Sequence, residues 1–167
     1  DTGKIIFQEA IEIENEDNFE TLSIKLSTLG SEALIKSLEM LNKNKTNLII
    51  QNNSKSTLAP KIKKDMLQIN WSWEGEKINN WVRGLSPYPA MYTVYEEKKI
   101  KIFKVQLLKK ISNSHPGKIE LIDSKKLIIH SKNYQVSVLE LQQEGKKRLK
   151  IEDFLKGSNF EKGQNFS

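Results

Sequence analysis

The chain contains no cysteine. Disulfide scaffolds, zinc ribbons, iron–sulfur clusters and thiol catalysis are therefore excluded, and the composition fits a reducing compartment. Histidine is nearly absent as well: His115 stands beside Pro116-Gly117 and reads as a turn residue, and His130 falls inside a strand pattern. Neither has carboxylates at metal-ligand spacing, so no metal site is expected and neither histidine reads as catalytic. No apolar run approaches the ~20 residues of a membrane span. Phosphate loops, dinucleotide fingerprints and nucleophile elbows are missing too. The first residue is Asp1, with no Met and no basic-then-apolar leader, and the chain is expected to continue from an upstream segment.

What is present suffices for a core: 167 residues, 37% of them hydrophobic. Arginine is confined to Arg83 and Arg148, so 25 of the 27 basic residues are Lys. With abundant Asn and Ile, this bias reads as AT-rich, bacterial coding. Charge divides the chain. Residues 1–53 hold five Lys against nine acids, whereas residues 54–167 hold 22 basic residues against 12 acids. The basic part has the footprint of a surface that meets a polyanion, and a lysine-rich solvated face is the competing reading.

Near-alternation of Ile5, Phe7, Ile11 and Ile13 predicts one or two strands within residues 3–13. From Asn18, Phe19, Leu22, Leu26, Leu29, Ala33, Leu34, Leu38 and Leu41 recur at spacings of three and four, which predicts a long amphipathic helix. Gly30, a poor helix former in its middle, is expected to mark close packing. The stretch 51–68 has no period, carries Pro60 and is polar and basic, as a linker is. A short strand is expected at 69–71 and a helix at 74–85, stopped by Pro87 and Pro89. Strands are then expected at 91–95, 99–108, 118–122, 125–130 and 135–142, and a short helix at 152–155. Five short strands point to a small antiparallel barrel, a shape that binds nucleic acids on a strand face and its loops. The last residues, GSNFEKGQNFS, read as a flexible polar tail.

Asp1-Thr2-Gly3, taken alone, is a turn triplet. In its context it carries more. DTGKIIFQEAIEI with the Leu26–Leu38 helix resembles the end of the catalytic domain of folate-dependent formyltransferases. TLAPKI at 57–62, INW at 69–71, INNWVRGLSPYP at 78–89, PG at 116–117, LELQQEGKKR at 139–148 and DFLKG at 153–157 then resemble methionyl-tRNA formyltransferases, in the same order with short gaps. Ala90-Met91 departs from the Gly-Ala that follows the second proline in that family; Asn70, Leu58 and Gln143 depart as well.

The resemblance implies an α/β plus β architecture. Residues 1–50 would be the terminal strand–helix piece of a Rossmann-like catalytic domain, 51–68 a basic linker, 69–157 a small barrel of the OB-fold kind and 158–167 a flexible tail. It implies a cytoplasmic, monomeric enzyme without membrane or metal. Such an enzyme transfers a formyl group from 10-formyltetrahydrofolate to the amine of initiator methionyl-tRNA, in support of translation initiation. Asp1 would be the third member of an Asn-His-Asp catalytic set whose other members lie upstream, so the 167 residues alone are expected to be inactive. The residues expected to meet tRNA are Lys61, Lys63 and Lys64 in the linker, Arg83 before the PYP turn, and the run Lys146, Lys147 and Arg148. Each of these clusters also has a reading as solvated surface charge, and Arg83 as a support for its own turn. A sugar-nucleotide formyltransferase and a free-standing RNA-binding barrel are the alternatives.

Overall fold

The computed structural model of the chain describes residues 2–113, 115–123, 125–158 and 160–167, apart from the side chains of Leu121 and Ile122; Asp1 lies outside the described residues. Two compact units are present, Asp1–Lys61 and Ile62–Ser167. The division falls inside the stretch expected as linker, which contains two 3-10 turns, Asn53–Lys55 and Lys64–Leu67.

The first unit is dominated by helix α1, Phe19–Asn42. Its start is fixed by a reciprocal cap: Asn18 Oδ1 accepts from Thr21 N at 3.0 Å, and Thr21 Oγ1 accepts from Asn18 N at 3.0 Å. Just before it, buried Asp17 accepts hydrogen bonds from Lys25 Nζ (3.0 Å), Glu14 N (2.9 Å) and Thr21 Oγ1 (3.1 Å). The Lys25 ammonium, then the Glu14 amide, hold the Asp17 carboxyl below the usual carboxylate range. The helix matches its apolar period, yet no residue of α1 is buried, and Leu26, Leu34, Leu38 and Leu41 are exposed. A methyl group at Gly30 would meet open space, so nothing among the described residues packs closely there. The strands expected within 3–13 reduce to one antiparallel bridge between Ile5 and Ile49, closed by two N–H···O bonds of 2.9 Å. Alternating β-branched residues do not make a strand where no neighbouring ladder takes up their backbone groups.

The second unit is built on a six-stranded antiparallel sheet. Its strands are β1 (Met91–Tyr95), β2 (Lys98–Lys110), β3 (Ile119–Ile122), β4 (Leu127–His130), β5 (Tyr134–Gln143) and β6 (Leu149–Lys150). The order is β1-β2-β5-β4-β3, with β6 paired to β5. The sheet is open and curled, half of a barrel. Alternation explains the strands: Met91, Thr93 and Tyr95 point inward from β1, and Ile100 and Ile102 from β2, with Lys99 and Lys101 outward between them. Register shifts between Ile102 and Val105 put Ile102 and Phe103 both in buried positions and bend β2, so that it serves β1 and β5 together.

Helix α2, Gly75–Gly84, lays Ile78 and Val82, one turn apart, against the sheet. Its first residue must be small: a Cβ on Gly75 would sit 2.7 Å from Tyr134 Cβ, while Gly75 N donates to Asn133 Oδ1 at 2.9 Å. Helix α3, Ile151–Leu155, adds Ile151 and Phe154 to the core. Among the described residues no helix is long and apolar enough to cross a membrane.

The end of the chain corrects the expectation of a flexible tail. Ile119 N donates to Gln164 O, Phe166 N to Gly117 O, and Ser167 N and Val94 N each donate to the other's carbonyl oxygen, at 2.7–3.0 Å. The segment is thus tied both to β1 and to the start of β3, the two ends of the sheet order. Phe166 is 4% exposed and packs on Tyr95 and Trp71, with ring centroids 5.3 and 6.4 Å away. Trp71 Nε1 donates to Thr93 Oγ1, which donates to Ser167 O, both at 3.0 Å. Two phenylalanines among polar residues are enough to order this segment, because they complete a core that lies far away in sequence.

Candidate nucleic-acid interface

The outer face of β1, β2 and β5 carries a row of polar side chains set by register. Tyr92 on β1 pairs with Lys101 on β2, which pairs in turn with Gln142 on β5. Neighbours in such a row stand about 5 Å apart. Lys99, one step along β2 on the same face, holds its ammonium 5.0 Å from the centroid of the Tyr92 ring. Three turns rise around this row: the 3-10 turn with Lys64 and Leu67, the Tyr88-Pro89-Ala90 turn, and the Glu144-Gly145 turn. Together they enclose a cleft of about 620 Å³.

Each wall has a local cause. Leu85 O accepts from Ala90 N at 2.9 Å, closing the loop that holds both Ser86-Pro87 and Tyr88-Pro89 in the cis form. Ala90 takes a φ of 68°, where the resembling family has Gly. The Glu144-Gly145 turn is held by Glu144 N on Lys99 O (3.0 Å), by Lys146 N on Gln143 O (3.0 Å) and by Gln142 Nε2 on Lys146 O (2.7 Å). Gly145 supplies the positive φ, 75°. The lining has three ammonium groups, Lys64, Lys99 and Lys101, against one carboxylate, Glu144.

The residues expected to meet tRNA do not form one cluster. Lys64 lines the cleft, and Lys63 caps the turn that carries it. Lys61 belongs to the first unit. Lys146 and Lys147 are exposed beside the Glu144-Gly145 turn. Arg148 is engaged within the fold: its Nη2 donates to Glu140 Oε2 at 2.6 Å, and its guanidinium lies 4.2 Å from the Phe103 ring centroid. Arg83 sits in the last turn of α2, with Nε donating to Asn80 Oδ1 at 3.1 Å. The catalytic expectation, Asp1, lies outside the described residues. Lys99, Lys101, Tyr88 and Tyr92 are not among the residues the sequence singles out. Alternation in KKIKIFK nevertheless sets Lys99 and Lys101 opposite Ile100 and Ile102, so the two lysines have a readable signal.

The two histidines stand elsewhere. His130 Nε2 lies 2.7 Å from Glu120 Oε2, and its Nδ1 accepts from His115 N at 3.3 Å. Gln135 Nε2 donates to the same Glu120 oxygen. Burial raises the Glu120 carboxyl, and the bonds from His130 and Gln135 outweigh it, so the group is held below its ordinary value. No group of three or more His, Asp or Glu among the described residues is placed to hold a metal ion.

Residues 61–159 match the model of the formyl transferase, C-terminal domain. A methionyl-tRNA formyltransferase of Caldanaerobacter subterraneus is 36% identical over 98% of this chain and 52% of its own length. One from Staphylococcus epidermidis is 38% identical over 94% of this chain and 51% of its own length. The chain thus spans about half the length of the curated relatives it matches. Among solved structures, HypX from Aquifex aeolicus superposes with a TM-score of 0.64 at 14% identity, covering 100% of this chain and 32% of HypX. The N-formyltransferase from Helicobacter canadensis gives 0.57 at 17% identity, over 82% of this chain and 50% of that one. These two likenesses are of fold. With its second unit matched almost throughout by one domain model, and nearly all of the chain by relatives at 36–38% identity, the chain belongs to the formyl transferase C-terminal domain family.

Proposed function

We propose that this chain is the tRNA-holding part of a methionyl-tRNA formyltransferase, an enzyme that moves a formyl group from 10-formyltetrahydrofolate to the amine of initiator methionyl-tRNA. The observation that carries the reading is the 36–38% identity to methionyl-tRNA formyltransferases over 94–98% of the chain, including the basic second unit. The lysine-lined outer face supports it, because a tRNA is a polyanion whose grip is built mainly from phosphate contacts. Phosphate contacts position; they do not select. Discrimination of the initiator then belongs to whatever reaches the acceptor end. The exposed apolar side of α1 supports a further part of the reading, that this helix packs against the rest of a catalytic domain.

The chemistry needs a neutral amine, donors for the oxyanion of the tetrahedral intermediate, and a proton route. In the family resemblance Asp1 serves an imidazole: the carboxylate fixes its tautomer and raises its basicity. Asp1 cannot perform the transfer alone, and the Asn and His of the set belong upstream. The described residues do not fit the folate. A pterin is held by several paired donors and acceptors in an enclosed slot, whereas the cleft on the outer sheet face is open and sets a single side-chain amide, Gln142, beside its rings and charges. A sugar-nucleotide substrate is a small anion and does not call for lysines spread over an outer sheet face, as Lys99 and Lys101 are on β2.

The test is formylation of methionyl-tRNA by the 167-residue chain and by the same chain joined to an upstream segment that carries the Asn and His. Activity only in the joined protein, lowered by Asp1→Asn without loss of tRNA affinity, is the expected result. Turnover by the 167 residues alone would overthrow the assignment.

A further inference from the structure

Phosphate neutralisation requires lysines, but it does not require aromatic rings, and the cleft on the outer sheet face has two. Tyr88 is 77% exposed, an unusual position for a ring of its size. It stands with Pro89 and Leu67 on the apolar walls of the same 620 Å³ space whose floor holds Tyr92, Lys99, Lys101 and Gln142. That volume lies within the ~300–1,000 Å³ common to small-ligand sites. Tyr92 is already committed: the Lys99 ammonium faces its ring at 5.0 Å and its hydroxyl donates to Gln68 Oε1 at 3.4 Å. The Tyr88 ring offers a solvent-facing aromatic surface at the rim.

An aromatic face beside three ammonium groups and one side-chain amide matches the parts of a single nucleotide: a flat base, an edge with donors and acceptors, and flanking phosphates. A paired base cannot use such a ring, since both of its faces are covered by its neighbours in the stack. We propose that this cleft takes one unpaired nucleotide of an RNA, with the base against Tyr88, its edge within reach of Gln142, and the flanking phosphates against Lys64, Lys99 and Lys101. The proposal rests on the reading of the chain as a tRNA-binding part, and it adds to it a contact with an unstacked base rather than with the backbone alone.

Two probes separate this site from the wider reading. One is initiator tRNA; the other is a short single-stranded RNA carrying 2-aminopurine, whose fluorescence is quenched on stacking. The wild-type 167-residue chain should quench the short single-stranded RNA and cause no further change in the duplex, where 2-aminopurine is already stacked between its neighbours. Tyr88→Ala should abolish the quench and weaken binding of both probes about tenfold with an unchanged salt slope, and Tyr88→Phe should restore both. Lys99→Gln with Lys101→Gln should leave a quench at saturation while flattening the dependence of log affinity on log salt by ~0.7 for each phosphate no longer neutralised. Tyr88 is exposed, so these variants keep the fold. The proposal is overturned if Tyr88→Ala retains the quench and the affinity, or if the annealed duplex or poly-glutamate competes as well as the single strand. tRNA binding that is unchanged in Tyr88→Ala would remove the nucleotide site and leave the tRNA reading standing. A quenched short RNA with no affinity for tRNA would do the reverse.

Discussion

Gly117 and Phe166 are in backbone contact across 49 residues of sequence: Phe166 N donates to Gly117 O at 2.9 Å, and a Cβ on Gly117 would stand against the Phe166 carbonyl oxygen, well inside contact distance. Gly117 also holds a φ of 85°, in the region that costs other residues about 1–2 kcal/mol. Both effects act in the same direction. Gly117→Ala should destabilise the second unit by about 2 kcal/mol or more, read as a lower urea midpoint at unchanged slope. An unaltered midpoint would mean that the chain end does not press on this turn.

The same contact makes the chain end a structural member. Phe166 is nearly fully buried between Trp71, Tyr95 and Phe160. Phe166→Ala should therefore cost ~3–5 kcal/mol, the usual range for a buried aromatic. Amide exchange is the sharper reading: protection of Val94 and Ile119, whose N–H groups donate to Ser167 and Gln164, should fall more than that of β4. Equal protection in the two proteins would contradict the role given to this segment.

The β1–β2 hairpin turns through Glu96 and Glu97, both with positive φ (47° and 63°), between the paired residues Tyr95 and Lys98. Two-residue turns of this geometry favour Asn-Gly, because glutamate meets a steric penalty there. Glu96→Asn with Glu97→Gly should stabilise the second unit by about 1 kcal/mol in thermal or urea unfolding. A fall in stability would show that the glutamate side chains contribute more than the backbone strain costs.

Glu120 gives a pH signature. Its folded value is lowered, so its contribution to stability is present above the unfolded carboxylate value of ~4.3 and is lost as pH falls through the folded value. Glu120→Gln should flatten the acid limb of the stability curve between about pH 5 and the acid transition while leaving its shape at neutral pH. An acid limb as steep as in the wild type would place the responsible carboxylate elsewhere, with Asp17 and its Lys25 partner the next to test.

Much of the second unit is legible in the sequence because its signals are local. The alternation in MYTVY and in KIKIF, with inward Met91, Thr93, Ile100 and Ile102, fixes both strands and their faces. The period of α1 and its Asn18 cap fix that helix in the same way. Sequence pattern fails where a partner far along the chain decides. Ile5 to Ile13 alternate as well as any true strand, but among the described residues only Ile5 finds an antiparallel partner, Ile49. Phe160 and Phe166 sit in a polar, glycine-containing sequence that gives no sign that Trp71, Tyr95 and Phe154 wait for them. For the candidate site, linker charge singles out Lys64, which lines the cleft, while the charge run ending at Arg148 hides that its partners, Glu140 and Phe103, are on neighbouring strands. Tyr88 has no sequence signal beyond standing between two prolines.

The most direct test of the central claim is the affinity of the 167-residue chain for initiator tRNA as a function of salt, for the wild type and for Lys61→Gln, Lys63→Gln, Lys64→Gln combined. The account predicts binding that falls steeply with salt, and a slope of log affinity against log salt that flattens by ~0.7–0.9 for each phosphate that the triple variant leaves unneutralised. No measurable binding by the wild type, or binding with a flat salt dependence that a nucleotide sugar displaces as readily as tRNA, would contradict it.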